Sequence, residues 1–446
     1  MSLESILIAI VSWFQYGLPA ILKEWWWLFL IVEFFWLLEI AKSPWIFYRR
    51  WLFDGERKPI LLEIKIPEEV LEPIKAMETV LTGLWQICSP PNWHEFWWEG
   101  QSSWSFTLEI ACIDGTPHFY VRTPNRDLRH IFESQIYSQY PSAEISEAED
   151  YVPNVPQDIP NEQWNLFGTG YKNLKPWAYP IKTYEEFETG KEEEEKRVDP
   201  IASLLEGMAK LGPGEQAWVQ LRCFPVLDDA KPWKKDALKL RDELARRKSK
   251  DIKFKPMVQE AAEFLISGKV PEAPVVEEES FVPVEMKLTP GEKDVIMAME
   301  KKMGKLWFLC ALNWAYLGKR EVFFKPKARL IMSYFTNFVT DNMNGLVPDS
   351  KTITKVTKYW YDFFFIIGRR TYLRQRRLFR ALSTRTWVGW PRDGFKGPRD
   401  PGGRFCLDAE ELASLYHFPG RMVAQAPTMA RVEAKKGEPP STLPME

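Results

Sequence analysis

The chain has 446 residues, a length that points to two or three domains. Its 59 Lys and Arg against 61 Asp and Glu leave a net charge of −2, which excludes a global polyanion-binding balance. Cys88, Cys112, Cys223, Cys310 and Cys406 are far apart and odd in number, and His94, His118, His130 and His417 are scattered. These patterns argue against a complete disulfide framework and show no zinc-ligand spacing.

In chain order, Ile6 to Leu22 is almost wholly apolar. Trp25-Trp26-Trp27 then opens a second apolar run to Ala41, interrupted by Glu33 and Glu39. Lys42, Arg49, Arg50, Arg57 and Lys58 follow as a basic flank. The pattern predicts N-terminal membrane helices over residues 1–58, either as two short spans or as one span with an interfacial helix. The positive flank places the bulk of the chain on the cytoplasmic side of the cytoplasmic membrane.

Leu61 to Ile66 reads as a strand, and Pro67 starts a helix through Met77, Val80, Leu81 and Leu84. Trp104–Cys112 and His118–Arg122 read as paired strands around an Asp114-Gly115 turn. A helix with Leu128, Phe132 and Ile136 follows, and Ala143–Ser146 closes the unit. This order predicts a ferredoxin-like (βαββαβ) domain over 59–151. A second such domain is expected over 152–355, with a helical insertion at 227–303. Its strands are read at Ala178–Thr183, Ala217–Phe224 and Leu306–Tyr316, with Leu317-Gly318-Lys319 as a turn. Asp199-Pro200 starts its first helix, and Pro326–Val339 is its second. Glu192–Glu195 reads as a solvated loop and Pro271–Pro283 as a linker. The last segment, 356–446, carries an aromatic and basic helix after Tyr359-Trp360-Tyr361, a Gly/Pro-rich loop from Trp387 to Gly403, a short helix with Asp408 as cap, and a Pro-rich tail from Ala424. The expected fold class is α+β: N-terminal membrane helices followed by two tandem ferredoxin-like units, the second with a helical insertion.

No P-loop, nucleophile-elbow or zinc-protease pattern occurs. Gly168-Thr169-Gly170 and Gly212-Pro213-Gly214 read as turn formers. With no catalytic constellation and no cofactor or metal motif, the chain is expected not to be an enzyme. The cluster that draws attention is Arg369, Arg370, Arg374, Arg376, Arg377 and Arg380. It has three readings: contacts to phosphates, contacts to anionic lipid headgroups, or a solvated helix face.

Several phrases resemble a known family: Leu61–Pro67, Lys75–Glu78, Pro141–Glu144 with Asp150-Tyr151, Tyr179–Tyr184, Asp199–Glu206, Gly214–Gln220 and Glu410–Pro419. Their order is similar to the membrane-anchored amino-terminal region found ahead of type IV secretion coupling-type ATPases. In fused members a P-loop motor follows a proline-rich segment like Pro439-Pro440. The resemblance implies a membrane-anchored subunit that docks or assembles a DNA-translocating ATPase carried on a separate polypeptide. Its implied partners are the membrane, that P-loop ATPase and other copies of the chain. The alternative is a membrane-tethered protein that binds single-stranded nucleic acid, since His118-Phe119-Tyr120-Val121-Arg122 is loosely similar to a strand that stacks bases.

Overall fold

The computed structural model describes residues 18–67, 72–188, 199–227, 233–246, 288–356, 364–386, 388 and 404–420. The first apolar run up to residue 17, the acidic run Glu192–Glu195, the 271–283 linker, most of the 387–403 loop and the tail from Ala424 lie outside the described residues. The chain divides into two compact units, residues 1–58 with 90–103, and residues 59–89 with 104–446.

The first unit is built on helix α1, Leu18–Glu56, which runs unbroken through Pro44. A π-helical turn at Glu95–Glu99 ends at Gly100 in the left-handed region (φ 72°). Trp45 Nε1 donates to Trp97 O at 2.8 Å, and the Arg50 guanidinium lies 5.0 Å over the Phe96 ring. Arg57 holds Ser102 through its carbonyl (2.9 Å) and hydroxyl (3.1 Å). A Cβ at residue 100 would come within 2.3 Å of the Arg49 backbone, so close approach also requires glycine here.

The expectation of membrane-spanning helices is corrected. No helix among the described residues is long and apolar enough to cross a membrane. Glu33 and Glu39 interrupt the run and Lys42 follows it, and a charged side chain costs roughly 2.5–3.5 kcal/mol at a bilayer centre. Two short spans were one of the two expected arrangements; α1 instead runs as a single helix through the junction between the two apolar runs.

The second unit is an antiparallel nine-stranded sheet. Its strands are β1 (Ile60–Lys65), β2 (Phe106–Ile113), β3 (Thr116–Thr123), β4 (Glu144–Ala148), β5 (Trp164–Asn173), β6 (Glu215–Pro225), β7 (Trp307–Lys319), β8 (Leu346–Pro348) and β9 (Phe405–Asp408). They are ordered β4-β1-β3-β2-β6-β7-β5-β8, with β9 also on β7. The helices are α2 (Ile74–Leu84), α3 (Arg129–Gln139), α4 (Tyr184–Glu188), α5 (Ala202–Ala209), α6 (Trp233–Leu244), α7 (Pro290–Met303), α8 (Ala328–Thr336), α9 (Phe364–Ser383) and α10 (Ala409–Leu415).

The two stretches expected as tandem units share one continuous sheet, β4-β1-β3-β2 from the first and β6-β7-β5-β8 from the second. The seam is the β2–β6 pairing, Phe106–Ile113 against Gln216–Cys223, which satisfies two edges that would otherwise be open templates. Two expected strand limits also move. Residues 178–183 are irregular, and the strand is β5, which contains Gly168 and Gly170. A Cβ at residue 168 would stand 2.2 Å from Trp314 O, so this glycine admits the β7 backbone rather than a turn. Strand β7 likewise continues through Gly318 to Lys319, where a turn was expected, because β5 and β6 both pair with it there.

Alternation along the strands gives the sheet two cores. Leu62, Leu108, Leu221 and Leu312 face α2, α3, α5, α8 and α10, through side chains such as Leu81, Phe132, Leu204, Phe335 and Leu412. On the other face Leu61, Ala111, Trp218 and Leu317 meet Tyr151, Ile159 and the α9 residues Leu378, Phe379 and Leu382. Each sheet face also carries a buried polar network.

Candidate functional site

The α9 face carries the first network. Glu109 on β2 and Gln220 on β6 are direct register partners, and Gln220 in turn opposes Asn313 on β7. Arg385, two residues beyond α9 and in a left-handed conformation (φ 49°), turns its guanidinium onto this row. Its Nε donates to Glu109 Oε1 at 3.1 Å, while Nη1 and Nη2 grip the two Asp150 oxygens at 2.6 Å each. Tyr151 donates to Glu109 Oε2 at 2.5 Å and accepts from Gln220 at 2.8 Å. Arg222 binds the Arg385 carbonyl at 3.0 Å, and Asn313 donates to Thr386 O at 2.8 Å. Glu109 and Arg385 are 0 % and 2 % exposed through their side chains, so the charges are compensated inside the fold. Burial opposes the Arg385 charge, but Glu109 and Asp150 outweigh it and raise its pKa. Burial and the Glu109 carboxylate push the Tyr151 hydroxyl up.

The second network surrounds α10. Asp408 caps this helix, accepting from Glu411 N at 2.7 Å, while Glu411 returns a bond to Asp408 N. Lys302 on α7 pairs with Glu411 at 2.8 Å, with both side chains sealed from solvent. Glu411 also accepts from Ile181 N at 2.7 Å. Lys305 bridges Glu410 and Glu78, and Tyr184 donates to Glu78 at 2.6 Å through its hydroxyl and to the Ser414 hydroxyl at 2.9 Å through its backbone N–H. A cavity of ≈ 300 Å³ opens beside Thr183, Glu185, Lys301 and Glu410. Burial would raise Glu410, but Lys305, Thr183 and Lys301 overcome it and lower its pKa. Nearby, His417 Nε2 lies 2.8 Å from Asp199. Four of the family-like phrases, Lys75–Glu78, Tyr179–Tyr184, Asp199–Glu206 and Glu410–Pro419, thus meet around α10.

A pH dependence follows. Burial, and then the Glu411 carboxylate, push Asp408 up to about 8. A raised acid holds its proton in the folded state over a window where the unfolded chain, with a carboxyl pKa near 3.9, has lost it. That contribution is complete below about pH 4 and is lost as pH rises through about 8. Asp408→Asn keeps the cap and removes the titration. Denaturant unfolding at pH 5 and pH 9 is expected to show a smaller drop for the variant than for the parent. Equal drops would rule Asp408 out as the source.

The six sequence-selected arginines are all on α9 and fall into two stripes. At 100° per residue, Arg369, Arg376 and Arg380 share one line and Arg370, Arg374 and Arg377 another. Arg374 Nη1 donates to the carbonyls of Ser350 (3.1 Å), Ile353 (3.0 Å) and Lys355 (3.3 Å). Arg376 Nη1 donates to Gln157 O (3.0 Å) and Ile159 O (3.2 Å). Both tie neighbouring loops to the helix. Arg369, Arg370 and Arg380 are exposed; Arg377 is half-buried; Arg370 and Arg377 make interactions of their own. The structure brings none of these six into the Arg385 network. Arg385 was not singled out in the sequence, where 235 and 276 positions separate it from Asp150 and Glu109. Among the described residues no cluster of His, Cys, Asp or Glu is arranged to hold a metal ion. His118 pairs with Glu63 at 2.7 Å and stacks on Tyr120, while Phe119 is buried against Tyr416 and Phe418.

The chain belongs to the family described as a domain of unknown function, DUF8128, which matches residues 56–431. No curated protein matches the chain.

Proposed function

We propose that the protein is a membrane-associated subunit without catalytic activity of its own, which docks a DNA-translocating ATPase of the type IV secretion coupling type. The observation that carries the membrane half is α1. Phe34, Phe35, Trp36, Leu37 and Leu38 are 43–63 % exposed in succession, and Phe47 and Trp51 reach 75 % and 66 %. A helix apolar on every side is ordinarily covered, and exposed apolar area on this scale marks a partner or a lipid surface. Lys42, Arg49 and Arg50 add the charge that anionic headgroups attract, and the tryptophans suit the headgroup level. Lipid is therefore the reading we favour, with the exposed apolar side chains of α1 in contact with the bilayer. The docking half is supported by the order of the family-like phrases.

Full-length protein is expected to sediment with vesicles of phosphatidylcholine and phosphatidylserine. Phe34→Glu, Phe35→Glu, Leu37→Glu and Leu38→Glu together should abolish this without lowering Tm. Parent protein that stays in the supernatant would sink the membrane half. Retention of a purified coupling-type ATPase on protein-loaded vesicles, but not on bare ones, tests the docking half.

A further inference from the structure

The Arg369, Arg376 and Arg380 stripe of α9 borders a groove that the membrane and docking readings leave unused. The helix carries six arginines and no acid over Phe364–Ser383. Arg374 and Arg376 spend their hydrogen bonds on neutral carbonyls, which leaves their charge uncancelled. Among the described residues no carboxylate lies within ion-pair distance of Arg369, Arg374, Arg376 or Arg380. Along the flank of this stripe runs a groove of ≈ 730 Å³, lined by Asn161, Arg320, Thr371, Tyr372 and Gln375, with Glu162 as its acid. Tyr372 and Leu373 are 48 % and 51 % exposed beside the arginines.

We infer that this surface binds the phosphodiester backbone of a single-stranded nucleic acid, with the exposed Arg369 and Arg380 on phosphates, Arg376 and Arg320 adding positive charge beside them, and Tyr372 stacked on a base. Arg369 and Arg380 stand about 16 Å apart along the helix, long enough to contact successive phosphates of one strand. The depression is open and lined by hydrogen-bonding side chains and the half-exposed Tyr372 ring, groups that suit bases rather than an acyl surface, so its chemistry favours nucleic acid over anionic lipid. An exposed ring at the groove wall adds a stacking platform that is indifferent to sequence. The arginines Arg369, Arg376, Arg380 and Arg320 outnumber the acids beside them, Glu162, Asp158 and Glu321. This inference does not depend on α1 reaching a membrane.

The test uses the full chain and a fluorescein-labelled oligothymidylate of about 12 nucleotides. Binding is expected at 50 mM salt and should fall steeply by 200 mM, as released counterions require. Arg369→Gln with Arg380→Gln should weaken binding at least tenfold and make the log–log salt slope shallower by about 1.4, the value for two single-strand phosphate contacts. Both side chains are exposed, so Tm should not change. Tyr372→Ala should weaken binding about fivefold or more at an unchanged slope, and Glu162→Gln should tighten it. The four-glutamate α1 variant should bind the oligonucleotide normally, which separates this site from the lipid reading. Absence of binding at 50 mM salt, or an unchanged slope in the double arginine variant, overturns the inference. So does vesicle binding that depends on Arg369 and Arg380 and resists competition by the oligonucleotide, since that would assign the stripe to lipid.

Discussion

Arg385→Met is expected to be among the most destabilising single changes in this chain. The substitution leaves Glu109, 0 % exposed, with the Tyr151 hydroxyl but no positive partner in direct contact. Breaking a buried pair from one side costs roughly 3–5 kcal/mol, because the surviving charge keeps its desolvation cost. Asp150 is 35 % exposed and recovers water, so it adds less. Arg385 also anchors the chain beyond α9 to the sheet through its carbonyl bond to Arg222. Denaturant unfolding should show the loss, and adding Glu109→Gln should return part of it, because a neutral amide is cheaper to leave buried. A loss below about 1 kcal/mol would mean that water or relaxation replaces the pair. The acid limb should change as well. Burial alone would raise Asp150, but hydrogen bonds from Arg385 prevail and hold it below the usual carboxylate range. A depressed acid contributes stability above its unfolded pKa of about 3.9 and loses it as pH falls through the folded value. The Arg385→Met variant should therefore lose less stability than the parent below about pH 4.

Lys302→Met should cost a comparable roughly 3–5 kcal/mol, by the same one-sided breakage. Its partner Glu411 is sealed and would keep only the amide bonds from Ile181 and Asp408. Burial already raises Glu411, and removing the lysine takes away the opposing charge. The variant can then recover by protonating Glu411, so its deficit should shrink as pH is lowered from 8 to 5. In the double variant Lys302→Met with Glu411→Gln, the deficit should be smaller at pH 8 and nearly independent of pH. A deficit that grows toward low pH in the single variant would show that Glu411 is not the stranded charge.

These two networks explain why several short phrases stand out along the chain. Glu78, Ile181, Asp199 and Glu411 are dispersed in sequence and each bonds to α10 or to a residue packed beside it. The phrases therefore mark residues that hold the sheet, α7 and α10 together. The features proposed to meet other molecules, the exposed length of α1 and the α9 groove, lie outside them.

Some of this was legible in the sequence because the signal is local. Asp114-Gly115 makes a two-residue hairpin with φ of 50° and 88°, since the turn demands left-handed residues next to each other. Asp408 caps α10 because its side chain reaches an amide three residues on. The arginine stretch was visible as charge, and its helical spacing decided which arginines share a line. What only the tertiary structure decided is long-range. Gly168 and Gly170 looked like a turn, yet sit in β5, and at Gly168 the β7 backbone approaches too closely for a side chain. The β2–β6 seam that makes one sheet joins residues more than a hundred positions apart, and period-two alternation names a face without naming a neighbour. The same holds for Arg385, Glu109, Lys302 and Glu411. A buried charge and a solvated one look alike in a sequence, and only packing brings each to the partner that makes its burial tolerable.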